Sequence, residues 1–326
     1  MKIGNVEIAG HVVLGPMAGI TCLPYREFMK GFGVGLSVSE MISDCGLSYG
    51  NKKTMYYADT SETDRPVALQ LFGFDQKNTI PAIGILEREA RYDILDLNFG
   101  CPVTKVVKTG AGSAWMRHPQ ELEEYVKAVV AASHKPVTAK IRLGFTEDEI
   151  NAEDVAFRLQ RAGVLAITVH CRTRSQGYSG KARYEVIEGL GERLSVPLIV
   201  SGDIFSAQDA KRAIDITKGQ MVMVARGGVG HPFLITQINH YLDTGELLDS
   251  PSPCQQIAYA KKYAEMMFGY KGERVGLNEL RGILPHFLSG FPGYKAIRNQ
   301  LACKTSTKDE LFALLDGLDK RLGYEK

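Results

Sequence analysis

The chain alternates between short apolar runs and longer segments in which apolar residues recur every three or four positions. Short runs rich in β-branched residues predict strands, whereas periodic segments such as 120–133 and 152–162 predict helices. The apolar runs predict eight strands, at 12–17, 37–41, 67–72, 94–98, 137–142, 166–170, 197–201 and 221–225. Regular alternation of this kind is typical of an α/β fold, the (β/α)8 TIM barrel. A doubly wound sheet is the alternative, although no GxGxxG motif follows the first strand.

The pattern changes after residue 242. A turn-rich linker at 244–253 contains two prolines, and no strand pattern follows it. Helical periodicity resumes in four segments, at 257–268, 277–288, 294–301 and 308–322. We therefore predict a TIM-barrel domain over 1–243 and a small all-helical domain over 254–326.

Composition and charge narrow the function classes. With 44% hydrophobic and 23% charged residues, the chain can bury a large core, which excludes a disordered protein. The net charge of +2 is unevenly distributed, because residues 254–326 carry 12 Lys and Arg against 8 Asp and Glu, and the rest carries 27 against 29. This basic excess is a weak indication that the tail binds a polyanion.

Cysteine usage and the N-terminus indicate where the protein works. The six cysteines have neither CxxC pairs nor metal-ligand spacing, so we expect no disulfide framework and no metal site. The N-terminus lacks a long apolar segment, and no stretch approaches the roughly 18 apolar residues of a membrane span. We expect a soluble cytoplasmic protein with no membrane association and no evident obligate protein partner.

Polar residues collect where the predicted strands end, and strand ends meet at the catalytic mouth of a TIM barrel. Residues 96–102 read DLNFGCP, so a glycine and a proline hold Cys101 in a tight turn. A free cysteine is often a buried filler, and the position at the mouth is what favours catalysis. The other polar residues at strand ends are Gln70, Asn98, Lys140, Arg142, His170 and Arg172.

Two glycine-containing strand ends predict a phosphate site. Segments 201–203 (SGD) and 225–228 (ARGG) follow the last two strands, the habitual phosphate position of this fold. Arg226 adds a forked donor. Lys140 near an electron-rich ring would stabilise a reduced flavin, so FMN fits this mouth. Cys101, protonated at neutral pH, would supply a proton opposite a hydride.

Over essentially its whole length the chain resembles the tRNA-dihydrouridine synthases. The resemblance rests on motifs at 15–21 (GPMAGIT), 70–73 (QLFG), 96–102, 105 with 110–113 (GAGS), 140–142 (KIR), 169–174 (VHCRTR) and 201–204 (SGDI). It implies an FMN enzyme that uses NADPH to reduce the 5,6 double bond of particular tRNA uridines. Ser201 and Ala225 replace the usual Asn and Gly, and both are small enough for the cofactor.

The resemblance also implies residue roles. Cys101 would protonate the base. The residues implied to hold FMN are Pro16, Met17, Ala18, Gln70, Lys140, His170, Ser201, Gly202, Asp203, Ala225, Arg226 and Gly227. The residues expected to contact the uracil or the RNA are Asn98, Lys105, Arg142, Arg172, Arg281 and Arg298. The target base would leave its stack to reach the flavin.

Alternatives remain at this point. A flavin reductase of a free pyrimidine would share the barrel chemistry, and a dihydrouridine synthase acting on ribosomal RNA would share both domains. A Schiff-base aldolase using Lys140 and an RNA-binding module on an inactive barrel belong to other classes. Flavin absorbance would exclude the aldolase, and NADPH oxidation would count against the inactive barrel.

Overall fold

The computed structural model of the chain describes residues 1–291 and 293–323. Its strands are β1 (Lys2–Ile3), β2 (Val6–Glu7), β3 (Val12–Leu14), β4 (Leu36–Ser43), β5 (Val67–Phe72), β6 (Ile94–Asn98), β7 (Val137–Arg142), β8 (Ile167–His170), β9 (Leu198–Ser201) and β10 (Met221–Val224). Strands β3 to β10 pair in parallel in chain order, and β10 closes the barrel against β3. The predicted TIM barrel is confirmed.

Helices connect the barrel strands and then continue beyond them. They are α1 (Leu23–Lys30), α2 (Asp44–Ser48), α3 (Lys52–Met55), α4 (Gln76–Glu89), α5 (Thr104–Val107), α6 (Pro119–Ala132), α7 (Ala152–Arg161), α8 (Leu190–Arg193), α9 (Ala207–Thr217), α10 (Phe233–Thr244), α11 (Pro253–Phe287), α12 (Tyr294–Cys303) and α13 (Lys308–Gly323). Short 3₁₀ turns lie at Tyr56–Ala58, Gly112–Arg117, Glu147–Glu149, Tyr184–Ile187 and Arg226–Gly228.

The barrel separates two apolar layers, as the continuous apolar strands require. Inward-facing side chains such as Val13, Val38 and Ile94 fill the interior. Outward-facing neighbours such as Val12 and Leu14 pack under the helices. The β1–β2 hairpin adds Ile3 to the interior cluster, so it covers one end of the barrel. Strands of two residues are too short for a periodic signal, and the sequence pattern did not predict this hairpin.

The tail packs on the barrel through helix α1. Tyr25 and Phe28 of α1 meet Tyr263 of α11 at ring-centroid distances of 5.6 and 5.3 Å. Phe28 also meets Phe287, at 6.0 Å. Aromatic pairs at these separations bury large apolar areas. The two helices predicted at 257–268 and 277–288 form α11, which bends at Gly272, where φ is +72°.

A short segment joins helix α10 to helix α11. Helix α10 ends at Thr244, and Gly245 terminates it with φ of +79°. Helix α11 begins at Pro253, and a capping box of Ser252 and Gln255 fixes its first turn. The last residues of the tail domain predicted over 254–326, 324–326, lie outside the described residues.

Candidate active site

Two adjoining cavities open at the end of the barrel where the strands terminate. The glycine-loop cavity is lined by Gly15, Pro16, Met17, Lys140, His170, Tyr178, Ser201, Gly202, Asp203, Ile204, Phe205, Met223, Ala225, Arg226 and Gly227. The thiol cavity is lined by Pro16, Met17, Ala18, Ile20, Met41, Gln70, Asn98, Gly100, Cys101, Pro102, Val103, Lys140, Arg142, His170, Tyr178 and Arg226. The shared walls make them one mouth, and most of the residues singled out in the sequence meet there.

The Cys101 loop is held rigidly at the wall of the thiol cavity. Asn98 Oδ1 accepts hydrogen bonds from the backbone N–H groups of Gly100 at 3.1 Å and Cys101 at 2.9 Å. The carbonyl of Cys101 accepts from the Ser113 hydroxyl at 2.9 Å. The cysteine is 7% exposed, and burial raises the pKa of its thiol. At neutral pH the group is therefore a protonated thiol that can give up a proton.

A line of buried hydrogen bonds positions the residue that holds the cysteine loop. Asn98 Nδ2 donates to Gln70 Oε1 at 2.7 Å, and Gln70 Nε2 donates to Asp96 Oδ2 at 2.7 Å. Thr138 donates to the other Asp96 oxygen at 2.6 Å. Asp96 comes from β6, like Asn98, whereas Gln70 and Thr138 come from β5 and β7. Three neighbouring strands thus fix the amides at the cavity wall.

Lys140 and His170 present a cation and a neutral imidazole to both cavities. Desolvation, together with the nearby Arg142 guanidinium, lowers the pKa of Lys140 to about 8. Desolvation and the surrounding cations, Lys140 first, lower the pKa of His170 well below its ordinary value. The lysine is therefore mostly charged at neutral pH, whereas the histidine is neutral and can donate one hydrogen bond and accept another.

Two arginines at the mouth hold its loops. Arg142 donates from Nε to the Gly100 carbonyl at 2.7 Å, and from Nη1 to the carbonyls of Thr173 at 2.8 Å and Gly177 at 2.9 Å. It also lines the thiol cavity. Arg172 pairs with Asp203 at 2.7 Å and does not line either cavity. The sequence pattern could not distinguish these two arginines, because both follow strand ends.

The two glycine-containing loops have backbones that larger residues would not fit. A Cβ atom at Gly227 would lie 2.0 Å from the Ile204 carbonyl oxygen. Gly202 has φ of +120°, a conformation that side chains rarely permit. Asp203 follows it with φ of +50°, and its carboxylate lies 3.5 Å from an Arg226 nitrogen. The loops form a close-packed cradle with a guanidinium at its edge, which suits an anionic group.

Tyr178 is a wall residue that the sequence analysis missed. It lines both cavities although it is 58% exposed. The Arg226 guanidinium lies 4.8 Å from the ring centroid, and the His170 ring lies 6.2 Å away. No strand end or glycine motif marks this residue, because it belongs to the long loop after β8. Its proximity to the VHCRTR motif is the one available signal.

The remaining sequence candidates lie outside the two cavities. Lys105 is exposed on α5, at the rim of the mouth. Arg281 on α11 donates to the Thr305 carbonyl at 2.6 Å and to Asn278 at 3.3 Å, so tail groups occupy most of its donors. Arg298 is exposed on α12. The structure does not bring these three side chains together with the thiol.

Within 1–291 and 293–323, no helix combines the length and apolarity needed to cross a membrane. The same residues contain no group of three or more His, Cys, Asp or Glu side chains arranged to hold a metal ion.

The sequence matches the family described as Dihydrouridine synthase (Dus) over residues 13–320. It is 36% identical over 298 residues to a protein named "Probable tRNA-dihydrouridine synthase" from Rickettsia bellii, with 91% of both chains covered. It is 32% identical over 339 residues to "tRNA-dihydrouridine synthase B" from Xanthomonas axonopodis pv. citri, with 99% of both chains covered.

Similarity also extends to a distant solved structure. The structure of "Morphinone reductase" superposes with a TM-score of 0.51 at 16% identity, covering 78% of this chain and 90% of the other. At that identity the likeness concerns the barrel fold alone. The sequence match to the family and to its members is stronger evidence, because it spans nearly the whole chain, including the mouth. The chain belongs to the dihydrouridine synthase family.

Proposed function

We propose that this protein is a tRNA-dihydrouridine synthase that uses FMN and NADPH to reduce the 5,6 double bond of specific tRNA uridines. The observation that carries the proposal is the protonated Cys101 thiol, which shares one mouth with the glycine-loop cradle. The names of the family relatives support the reaction. The residues at the mouth support two separate roles, FMN binding by the glycine-loop cavity and proton donation by Cys101.

The glycine-loop cavity fits a phosphorylated flavin. Its cradle excludes a Cβ at Gly227 and carries Arg226 at one edge, as a phosphate group requires. The residues we assign to FMN are Pro16, Met17, Ala18, Gln70, Lys140, His170, Ser201, Gly202, Asp203, Ala225, Arg226 and Gly227. When bound and reduced by NADPH, FMN supplies the hydride. The charged Lys140 favours negative charge beside it.

Cys101 supplies the proton. Hydride addition to one carbon of the uracil 5,6 bond leaves an enolate-like charge, and the Cys101 S–H places its proton on the neighbouring carbon. Solvent then returns a proton to the thiolate. Because burial raises the pKa of this thiol, the acid form is available at neutral pH. Asn98 and Arg142 fix the loop that carries the thiol, and both line the thiol cavity, in which we place the uracil.

The RNA strand would be positioned by phosphate contacts. Five exposed lysines follow the ends of β4, β5 and β6, and we call them the lysine rim: Lys52, Lys53, Lys77, Lys105 and Lys108. No ion pair within the described residues neutralises them. We propose that this rim and Arg298 contact phosphates, whereas Arg172 and Arg281 contribute to substrate binding by holding the loop after β8 and the end of α12.

The domains divide the reaction between them. We propose that residues 1–243 form the catalytic domain and that residues 254–326 form an RNA-binding domain. The thiol lies at a buried wall, so a uridine must leave the RNA stack to meet it.

The proposal is tested with Cys101→Ala. A positioned acid typically contributes about 10²- to 10⁴-fold, so dihydrouridine formation in unmodified tRNA should fall by that factor. FMN content and the rate of flavin reduction by NADPH should stay at the wild-type level, because the thiol is not part of the cradle. Cys303→Ala, an exposed cysteine on α12, is the matched control and should behave as wild type.

Three outcomes would contradict the proposal. A colourless purified protein would show that it binds no flavin. Wild-type RNA reduction by Cys101→Ala, with the chemical step rate-limiting, would show that Cys101 is not the proton donor. Efficient reduction of free uridine or of ribosomal RNA, with none of tRNA, would replace the substrate.

A further inference from the structure

A third cavity lies beside the thiol cavity, between the barrel and the tail. This tail cavity is lined by Ala18, Gly19, Glu40, Met41, Ser43, Thr54, Tyr56, Tyr57, Phe72, Lys271 and Glu279. It shares Ala18 and Met41 with the thiol cavity, so the two are neighbours. Barrel residues form one side, and residues flanking the bend of α11 form the other. The chemistry proposed for Cys101 makes no use of it.

A buried carboxylate faces this cavity with spare acceptor capacity. Glu40 is 6% exposed, and its Oε2 accepts the Gly19 N–H at 2.6 Å. No donor among the described residues reaches its Oε1. An ionised carboxylate offers about four lone-pair sites, so most of its capacity remains. Glu40 lines the cavity, so a donor on a ligand can occupy this remaining capacity.

An ammonium donor lies in the same cavity. Lys271 donates to both oxygens of Glu279, at 2.7 and 2.5 Å, and this carboxylate raises the pKa of the lysine beyond its already high ordinary value. The lysine therefore stays charged. An ammonium has three N–H donors, and the one not directed to Glu279 is within reach of the Tyr56 hydroxyl, so an acceptor on a ligand would replace that hydroxyl. Glu40 from the barrel and Lys271 from the tail thus place an acceptor and a donor in the same cavity.

An aromatic ring offers a stacking surface between them. Tyr57 lines the cavity, is 40% exposed and meets Tyr56 in a T-shaped pair at 6.1 Å, so at least one face of its ring is not covered by that neighbour. The Tyr56 ring is already engaged, since Lys271 lies 5.4 Å and the Tyr270 ring 5.9 Å from its centroid. Single-stranded RNA is bound by stacking bases on such rings and by reading their Watson–Crick edges.

We infer that the tail cavity binds a guanine base adjacent in sequence to the target uridine. This inference rests on the proposed function, because it requires an RNA strand at the mouth. Guanine presents two adjacent donors, N1–H and the N2 amino group, to the Glu40 carboxylate, and its O6 accepts from Lys271. Adenine, cytosine and uracil each lack the paired donors. Stacking on Tyr57 would hold the ring.

The first test changes the RNA and not the protein. Unmodified tRNA transcripts carry guanine or hypoxanthine at each nucleotide flanking the target uridine. Hypoxanthine lacks only the N2 amino group, so at one flank kcat/KM of the wild-type enzyme should fall about tenfold, the cost of one hydrogen bond to a charged group. Equal rates for both bases at both flanks would overturn the inference.

The second test asks whether Glu40 reads the base. Glu40→Gln keeps a carbonyl oxygen for the Gly19 N–H but removes the charge and places an amino group in the cavity. Dihydrouridine formation by this variant should lose the preference for guanine over hypoxanthine, with unchanged FMN content and unchanged NADPH-dependent flavin reduction. A retained preference would overturn the assignment to Glu40.

The third test separates stacking from hydrogen bonding. Tyr57→Ala should raise KM for tRNA at least fivefold, a stacking loss, whereas Tyr57→Phe should retain wild-type KM. Tyr49→Ala is the matched control, because Tyr49 is 81% exposed and does not line the cavity. Equal effects of Tyr49→Ala and Tyr57→Ala would overturn the stacking role. If no transcript yields dihydrouridine, the proposed function fails; conversion without base preference removes only this inference.

Discussion

The lysine rim and the tail both present exposed cations, but within the part of the chain that the structure describes, only in the tail do neighbouring carboxylates or carbonyls hold some of the cations. The five rim lysines are exposed and form no ion pair within 1–291 and 293–323. In the tail, Asp316 lies 2.6 Å from Lys261, Glu279 binds Lys271, and the Thr305 carbonyl binds Arg281. The difference teaches that the net charge of a segment does not give the charge it offers to a partner.

Packing explains the difference. Some charged side chains of the tail join its helices to one another. Lys261 of α11 pairs with Asp316 of α13, and Arg281 of α11 donates to the Thr305 carbonyl after α12. Four of the rim lysines lie on or next to the short helices α3 and α5, the fifth, Lys77, lies in the first turn of α4, and all five are exposed. Some of the twelve Lys and Arg residues of the tail are therefore not available to a partner, and the sequence-based assignment of RNA affinity to the tail needs the rim beside it.

The sharpest test of this comparison removes rim charge. Alanine at Lys52, Lys53, Lys105 and Lys108 should weaken tRNA binding about 100-fold near 0.1 M salt and lower the salt slope by roughly one unit for each phosphate that is no longer neutralised. Filter binding or fluorescence titration across a salt series measures both. Alanine at Lys2 and Lys135, near the opposite end of the barrel, is the control, and equal weakening by both sets would break the comparison.

A second test contrasts the exposed rim lysines with a desolvated lysine of the mouth, Lys140, and measures how its charge affects the stability of the fold. Lys140 is desolvated, and its pKa of about 8 lies below the ordinary 10.5. Below pH 8, Lys140 is charged in both the folded and the unfolded chain. The full free-energy cost of desolvating that charge then lowers the free energy of unfolding. Between pH 8 and 10.5 the folded chain binds fewer protons, and stability from this group rises with pH.

Lys140→Met should therefore stabilise the flavin-free protein at pH 7 by about 2 kcal/mol, and the gain should vanish near pH 10.5. Urea unfolding at pH 7, 9 and 10.5 measures the difference between variant and wild type, in which all other titrating groups cancel. A gain independent of pH would mean that methionine merely packs better. A loss of stability at pH 7 would show that the ammonium strengthens the fold.

The smallest effect is expected from the tail itself. Alanine at Lys295, Arg298 and Lys304, which are exposed, should weaken tRNA binding about tenfold. Lys261→Ala should leave binding unchanged and cost under about 1 kcal/mol of stability, since its partners are surface carboxylates. Binding affinities measured at one salt concentration decide between them. If Lys261→Ala weakens binding as much as the triple variant, paired cations serve the RNA too.

The barrel was predictable because its strands are long apolar runs buried on both faces. Strands β5, β6 and β7 begin and end at the predicted residues. Their few polar residues, among them Gln70, Asp96 and Lys140, do not interrupt the apolar pattern of a sheet covered by helices. The sequence analysis did not predict the β1–β2 hairpin, because a strand of two residues cannot show alternation. The break at Gly272 lies between the two helices predicted at 257–268 and 277–288, so the periodicity on either side did indicate it.

Less of the candidate site was predictable. Strand ends identify Gln70, Asn98 and Lys140, because the fold brings every strand end to one mouth. The partners of an arginine depend on loops whose course the sequence does not reveal, so Arg142 at the cavity and Arg172 beside Asp203 looked alike. Tyr178 and Glu40 escaped because a loop tyrosine and a strand glutamate are common without any role in a site.

The buried hydrogen bonds around Asp96 limit which single substitutions the cavity wall tolerates. Both oxygens of Asp96 accept, and that fixes which way the Gln70 amide points and, through it, the Asn98 amide. An asparagine at position 96 would offer an amino group to one of two donors, and a reversed Gln70 would present its amino group to that of Asn98. The three side chains are thus coupled, and a substitution at any one of them leaves a buried donor or acceptor of another without its partner.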